Sequence, residues 1–166
     1  SFDDTLDSTT MDSIVSTVRK SSSEYQGYFN LLDFGDKGGV ILILFGAPHS
    51  HENNTERAAS FAIQIRTQLG DTIRTGLATG SAFCGYIGSS LRSTYTALGN
   101  VVNLSARLSQ KTQPGTIALT SESAERIRDD FRLSSQEAWE LTGYQEARQV
   151  AFLEYHQKSG QTAESE

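Results

Sequence analysis

The chain has 166 residues, 20 acidic against 14 basic side chains and a net charge of −6, which is one domain's worth of core and an acidic balance that excludes a nucleic-acid binder relying on Lys and Arg against phosphates. A single cysteine, Cys84, excludes an internal disulfide and a cysteine-rich metal site and implies a reducing, cytoplasmic setting. The longest apolar run, residues 40–45, is far too short to span a bilayer and no signal peptide opens the chain, so no direct membrane insertion is expected.

Residues 1–7 read as the end of an edge strand. Thr9 with Asp12 resembles a capping box, and Met11, Ile14, Val15 and Val18 follow the i, i+3, i+4, i+7 spacing of a helix that stops near Gly27. Residues 28–34 alternate as a strand, Gly35-Asp36-Lys37-Gly38-Gly39 marks a hairpin turn, and residues 40–45 predict a central strand buried on both faces. Gly46-Ala-Pro48 ends that strand and residues 49–54 form a polar loop. Asn53 with Glu56 starts a second helix, whose stripe of Ala58, Phe61, Ala62, Ile65 and Leu69 closes at Gly70.

Residues 72–79 and 81–87, broken by Gly80, predict a second hairpin. Residues 92–96 lead into a third helix, for which Gly99 and Asn100 supply turn and cap and Val101, Leu104 and Leu108 the buried stripe. Residues 116–120 form a short strand. Ser121 caps a helix carrying Ala124, Ile127 and Phe131, Trp139 and Leu141 precede a turn at Gly143, and residues 150–155 form a final strand. One domain over residues 1–156 followed by a polar tail or linker over 157–166 is the expected organisation. The element order predicts an α+β, ferredoxin-like sandwich, with one mainly antiparallel sheet and helices packed on it.

Hydrolase and metal patterns are absent: there is no Gly-x-Ser-x-Gly elbow and no His-Glu-x-x-His. His49 and His51 sit in a polar loop and His156 near the tail, so no metal role is assigned to them. Cys84 lies in a strand beside apolar residues and reads as a buried, inert thiol. The glycines around residue 37 join two strands, which does not fit a phosphate loop at a helix N-terminus. Asn103 and Arg107 are four apart and share a helix face. An amide beside a guanidinium suits a phosphate or ribose-phosphate; the same spacing also describes the wet side of an amphipathic helix. Lys37 stands in a tight hairpin, where a Lys is either solvated or projected from the strand ends, and Thr96 is a turn hydroxyl.

Taken together, Asp36-Lys-Gly, Phe45-Gly-Ala-Pro48, Arg57-Ala58, Thr75-Gly-Leu-Ala-Thr-Gly-Ser-Ala-Phe-Cys-Gly-Tyr-Ile-Gly88, Arg92-Ser-Thr-Tyr-Thr96 and Gly99-Asn-Val-Val-Asn103-Leu-Ser-Ala-Arg107-Leu108 resemble the catalytic domain of class III adenylyl and guanylyl cyclases. The likeness runs from about Gly27 to Ser123 and is greatest to the second cyclase half of the soluble, bicarbonate-responsive type and its bacterial relatives. It implies a dimer-interface site that converts ATP to cyclic AMP and pyrophosphate, with two Mg2+ or Mn2+ ions held by one half. For the other half it implies Lys37 and Thr96 reading adenine, Asn103 orienting the ribose and Arg107 on the α-phosphate.

The sequence departs from that pattern where the metal would sit. The family's second metal aspartate falls on Gly39, six residues before Phe45; Asp36 is three residues further away. For the first metal aspartate only Asp3 or Asp4 is available, and Asn100 replaces a frequent aspartate. The resemblance therefore implies a half that reads the base and meets the transition state, with the metal held by a partner cyclase domain. The alternatives are a catalytically silent cyclase-like domain that regulates or dimerises, and a ferredoxin-like interaction domain without nucleotide.

Overall fold

Asp7 starts the first helix: its Oδ1 accepts the Thr10 N–H at 2.7 Å, and that bond holds its carboxyl below the usual carboxylate range. The computed structural model describes residues 1–3, 5–35, 38–134 and 136–157. Within them the helices are α1 (Ser8–Glu24), α2 (Asn54–Leu69), α3 (Asn100–Lys111) and α4 (Ser121–Ile127). The expected box at Thr9 is thus replaced by a cap two residues earlier. Ile14 and Val18 of α1 pack with Phe61 and Ile65 of α2, and with Phe2 and Ile73. Arg57 ties the end of α1 to the start of α2 by donating to the Tyr25 carbonyl at 2.8 Å.

The strands are β1 (Tyr28–Gly35), β2 (Gly38–Leu44), β3 (Thr75–Leu77), β4 (Phe83–Ser89), β5 (Arg92–Leu98), β6 (Ile117–Thr120), β7 (Phe131–Leu133), β8 (Glu137–Trp139) and β9 (Arg148–His156). The main sheet runs β3-β6-β9-β7, with β8 also on β9. Its β3–β6 pair is parallel and its other pairs are antiparallel. β1–β2 and β4–β5 are separate antiparallel pairs. The α+β class and the mainly antiparallel pairing are as expected, but the described strands lie in three sheets rather than one.

Strand β6 is buried along its whole length. Ile117 and Leu119 face Ala59 and Ala62 of α2 and Ile127 of α4. Ala118, between them, faces Leu104 and Leu108 of α3. Helices therefore cover both faces, and β6 is the doubly buried strand that residues 40–45 were expected to form. β2 is only half-buried from Val40 onward, because its sheet is a two-stranded ribbon. The predicted hairpin of residues 72–79 and 81–87 does not form. β3 pairs with β6 and β4 with β5, so residues 92–96 are a strand rather than a lead-in. Phe131 leaves the helix for β7, since α4 ends at Ile127. The cap of α4 is Thr120, whose hydroxyl accepts the Ser123 N–H at 3.3 Å, not Ser121.

Gly76 sets how closely α3 lies on the main sheet. A Cβ there would meet the Ser105 carbonyl oxygen, and would come within 2.6 Å of the Ser109 nitrogen and 2.9 Å of Leu108 Cβ. Backbone cannot retreat from such contacts as a flexible side chain can. Gly76→Ala is expected to cost about 2–3 kcal/mol. Gly80→Ala, whose new carbon meets only Val101 at 3.4 Å, should shift the urea midpoint far less. Equal midpoints for the two variants would contradict this account of the packing.

Candidate functional site

Leu104 and Leu108 are buried, so the opposite side of α3 must face outward, and that side carries Asn103 and Arg107, both exposed and one turn apart. Arg107 Nη1 reaches Gln110 Oε1 at 3.4 Å, a long contact that leaves most of the guanidinium's donors available. Among the described residues no group bonds the Asn103 side chain. Ser105 and Ser109 turn their hydroxyls back to the Val102 and Ala106 carbonyls at 2.9 Å and do not compete for this face. The predicted pairing of Asn103 with Arg107 on one face therefore stands as geometry.

Asn100 does not cap α3 with its side chain. Gly99 holds the cap position without a side-chain bond, and Asn100 Oδ1 instead accepts the Tyr144 hydroxyl at 2.7 Å. At the other end Lys111 donates to the Glu140 carbonyl at 2.8 Å and lies over the Trp139 ring at 5.5 Å. The segment between β8 and β9 thus clamps both ends of the helix. Tyr144 and Trp139 are supports that sequence reasoning missed, and their aromatic character near a turn was the available signal.

Thr96 lies on β5, half-buried, directly opposite Gly85. The pairs Phe83↔Leu98, Gly85↔Thr96 and Ile87↔Thr94 put these side chains on one face. Gly85 leaves the space beside Thr96 open, bounded by the Phe83 ring 3.4 Å from where a Cβ would be. Phe83 is 66% and Leu98 53% exposed. The opposite face carries Cys84, Tyr86, Tyr95 and Ala97. Tyr95 packs edge-on against Tyr28 at 5.5 Å and Tyr86 at 5.3 Å. Desolvation first, then Cys84 beside it, pushes the Tyr95 phenol above its usual range. Cys84 is half-buried on an outlying hairpin, not sealed in the core as expected. Thr96 and Asn103 belong to one strand–turn–helix unit, and the Asn103 N–H closes the turn on the Gly99 carbonyl at 3.4 Å.

Lys37, Asp36 and Asp4 lie outside the described residues. Asp3 is exposed, and its Oδ1 accepts the Thr5 N–H at 3.0 Å. Beside it, Phe2 bridges Gly39 and Ile73 in the antiparallel sense. The Phe2 ring fills the space where a side chain at position 39 would begin, with Cε2 2.6 Å from that Cβ site. Among the described residues no three His, Cys, Asp or Glu side chains are grouped to hold a metal. His49 and His51 are exposed, and His156 packs against the Phe131 ring at 4.7 Å. The Mg2+ or Mn2+ implied by the resemblance therefore does not fit the described residues at position 39.

Gly39→Asp is expected to lower stability by about 2–3 kcal/mol through overpacking against Phe2, and to gain no melting-temperature rise from millimolar Mn2+. The double variant Phe2→Ala with Gly39→Asp should be less destabilised than the sum of the two single changes. Additive losses would show that the ring and position 39 do not compete for the same space.

The family model described as "Adenylate and Guanylate cyclase catalytic domain" matches residues 38–154. An "Adenylate cyclase" of Mycobacterium bovis is 32% identical over 105 residues, 58% of this chain and 24% of that protein. "Adenylate cyclase type 10" of Homo sapiens is 33% identical over 90 residues, 51% of this chain and 6% of that protein. The chain thus spans about a quarter or less of the length of these curated relatives. Among solved structures, the guanylate cyclase domain of RhGC from Catenaria anguillulae, in complex with GTP, superposes with a TM-score of 0.77. It is 20% identical and covers 89% of this chain and 82% of that one. The adenylyl cyclase CyaB from P. aeruginosa gives 0.75 at 22% identity, covering 87% and 80%.

Proposed function

The chain belongs to the adenylate and guanylate cyclase catalytic domain family, and from that premise we propose that it forms the base-reading and transition-state side of a dimer-interface site converting ATP to cyclic AMP and pyrophosphate. The observation that carries this is that exposed Asn103 and Arg107 and half-buried Thr96 belong to one strand–turn–helix unit, with Leu104 and Leu108 of its helix buried.

The chemistry asked of each residue is simple. Lys37 donates to adenine N1, where guanine would present a proton of its own, and the Thr96 hydroxyl accepts from the adenine amine. Asn103 orients the ribose. As the 3′-oxygen bonds to the α-phosphorus, the bond from that phosphorus to the pyrophosphate oxygen breaks, and the hydroxyl proton leaves to solvent. Arg107 meets the charge that grows on the α-phosphoryl oxygens, where a preorganised donor is worth several kcal/mol. Mg2+ or Mn2+ is assigned to a partner cyclase domain, because Phe2 fills the place beside Gly39. Phe83, Ile87 and Leu98, on the face of the β4–β5 hairpin that carries Thr96, are exposed, which suits a surface that such a partner covers. The same Phe2–Gly39 packing favours a second reading, a silent cyclase-like domain that only dimerises or senses a nucleotide.

Mixing the purified chain with ATP, Mn2+ and a metal-bearing cyclase half separates the readings. The mixture is expected to make cyclic AMP and the chain alone none; product from the chain alone overturns the partner-held metal. Within an active mixture, Arg107→Ala should lower kcat about 10²–10³-fold, and an unchanged rate would remove Arg107 from the transition state. Lys37→Glu with Thr96→Cys should abolish the preference for ATP over GTP. An inactive mixture that still binds an ATP analogue establishes the silent reading.

A further inference from the structure

We propose that Asn30 is a positioning residue for base selection, holding the peptide that carries Thr96 against the strand that leads to Lys37; this rests on the reading of Thr96 and Lys37 given above. The register of β1 on β2 runs Phe29↔Ile43 and then Leu31↔Leu42, which leaves Asn30 as the extra, unpaired residue of a β-bulge. A bulge breaks the in-and-out alternation and re-aims a side chain. Here it aims Asn30 away from its own ribbon, and Nδ2 donates to the Tyr95 carbonyl at 2.7 Å.

That carbonyl belongs to the peptide joining Tyr95 to Thr96, so the bond fixes the plane from which the Thr96 Cα departs. The orientation of the amide is settled by chemistry, because a carbonyl only accepts and the atom facing it must be the nitrogen. Asn30 Oδ1 is buried and has no hydrogen-bond partner among the described residues, so the amide is anchored through its nitrogen. Two residues earlier, Tyr28 sets its ring on the Tyr95 ring at 5.5 Å. β1 therefore grips β5 at residue 95 twice, by an amide and by a ring.

The grip matters because, among the described residues, no strand ladder joins these elements. β4–β5 and β1–β2 are separate two-stranded sheets. The placement of β5, and of Thr96 on it, against β1 therefore depends on contacts made by side chains, and Asn30 supplies the directional one.

The test uses Asn30→Ala, Asn30→Asp, Thr96→Ala and the double variants, each paired with a metal-bearing cyclase half and assayed on ATP and GTP. Asn30→Asp keeps the shape while replacing the donor by an oxygen that repels the carbonyl, and is the variant read if Asn30→Ala does not fold. Expected is a roughly tenfold fall in the ATP-to-GTP ratio of kcat/KM, carried by KM with kcat within about threefold, and no further fall when Thr96→Ala is added. Losses that add overturn the proposal, since they show Asn30 acting independently of Thr96. If Thr96→Ala lowers the ratio and the Asn30 variants leave it intact, the positioning role alone is wrong. If Thr96→Ala leaves the ratio intact, the base-reading assignment falls and the positioning role with it.

Discussion

The site depends on how closely helix α3 can approach strand β3. Gly76 lets the helix backbone at Ser105 and Ser109 lie almost directly on the strand. At that distance Leu104 and Leu108 reach Ala118 and Val150 of the main sheet, and the helix has one rotation that buries them. Asn103 and Arg107 then point away from the core by geometry, with no interaction of their own needed to hold them out. Tyr144 and Lys111 fasten the two ends of the helix to the segment between β8 and β9. A pair of side chains carried on a helix fixed at its ends and along its back keeps its geometry better than one carried on a loop.

Much of this was legible in the sequence, and the unevenness has physical causes. α1, α2 and α3 announce themselves because each has an apolar stripe at helical spacing, and the i, i+4 relation of Asn103 and Arg107 follows from the helix alone. The sheet was much less legible. β3 carries Thr75-Gly-Leu77 and β5 mixes Ser, Thr and Tyr, so neither shows the contrast that identifies a partner, and pairing across forty residues leaves no local mark. Residues 40–45 have the strongest apolar run, yet they form a ribbon, while the short Ile117–Thr120 strand is the buried centre because α2, α4 and α3 all come to it. Thr96 gained a role only through resemblance. Asn30 was invisible, since a bulge exists only once two strands have a register.

The described residues around Gly39 are held by a different kind of force from a charged site. Two carboxylates brought together without an ion repel each other and lose solvation, so they weigh against folding until metal arrives. Phe2 laid on a glycine has no such requirement. Its ring is 1% exposed and packs with Ile14, Val18, Phe61 and Ile73. Among the described residues this part of the fold is held by apolar burial. The same packing makes the region poor at recovering a carboxylate, because the first carbon of that side chain has nowhere to go.

What remains outward is a guanidinium and an amide in water, with Thr96 half-buried on β5, and in water such groups are worth little. A charge pair at 4 Å gains about 1 kcal/mol at the dielectric of bulk solvent and several times that in a partly excluded site. Arg107 is exposed, and its contact to Gln110 is long. On the proposed reading, its effect on a developing phosphoryl charge depends on water being removed around it. The exposed Phe83, Ile87 and Leu98, on the hairpin face that carries Thr96, offer apolar surface on which a second domain can seat and exclude that water. On the proposed reading the association that brings the metal also dries the arginine, so one burial step supplies both halves of the electrostatic work. On that reading the domain holds its geometry in advance and lacks the metal and the low dielectric, which is why pairing, rather than a change of its own shape, is the event that would make it catalytic.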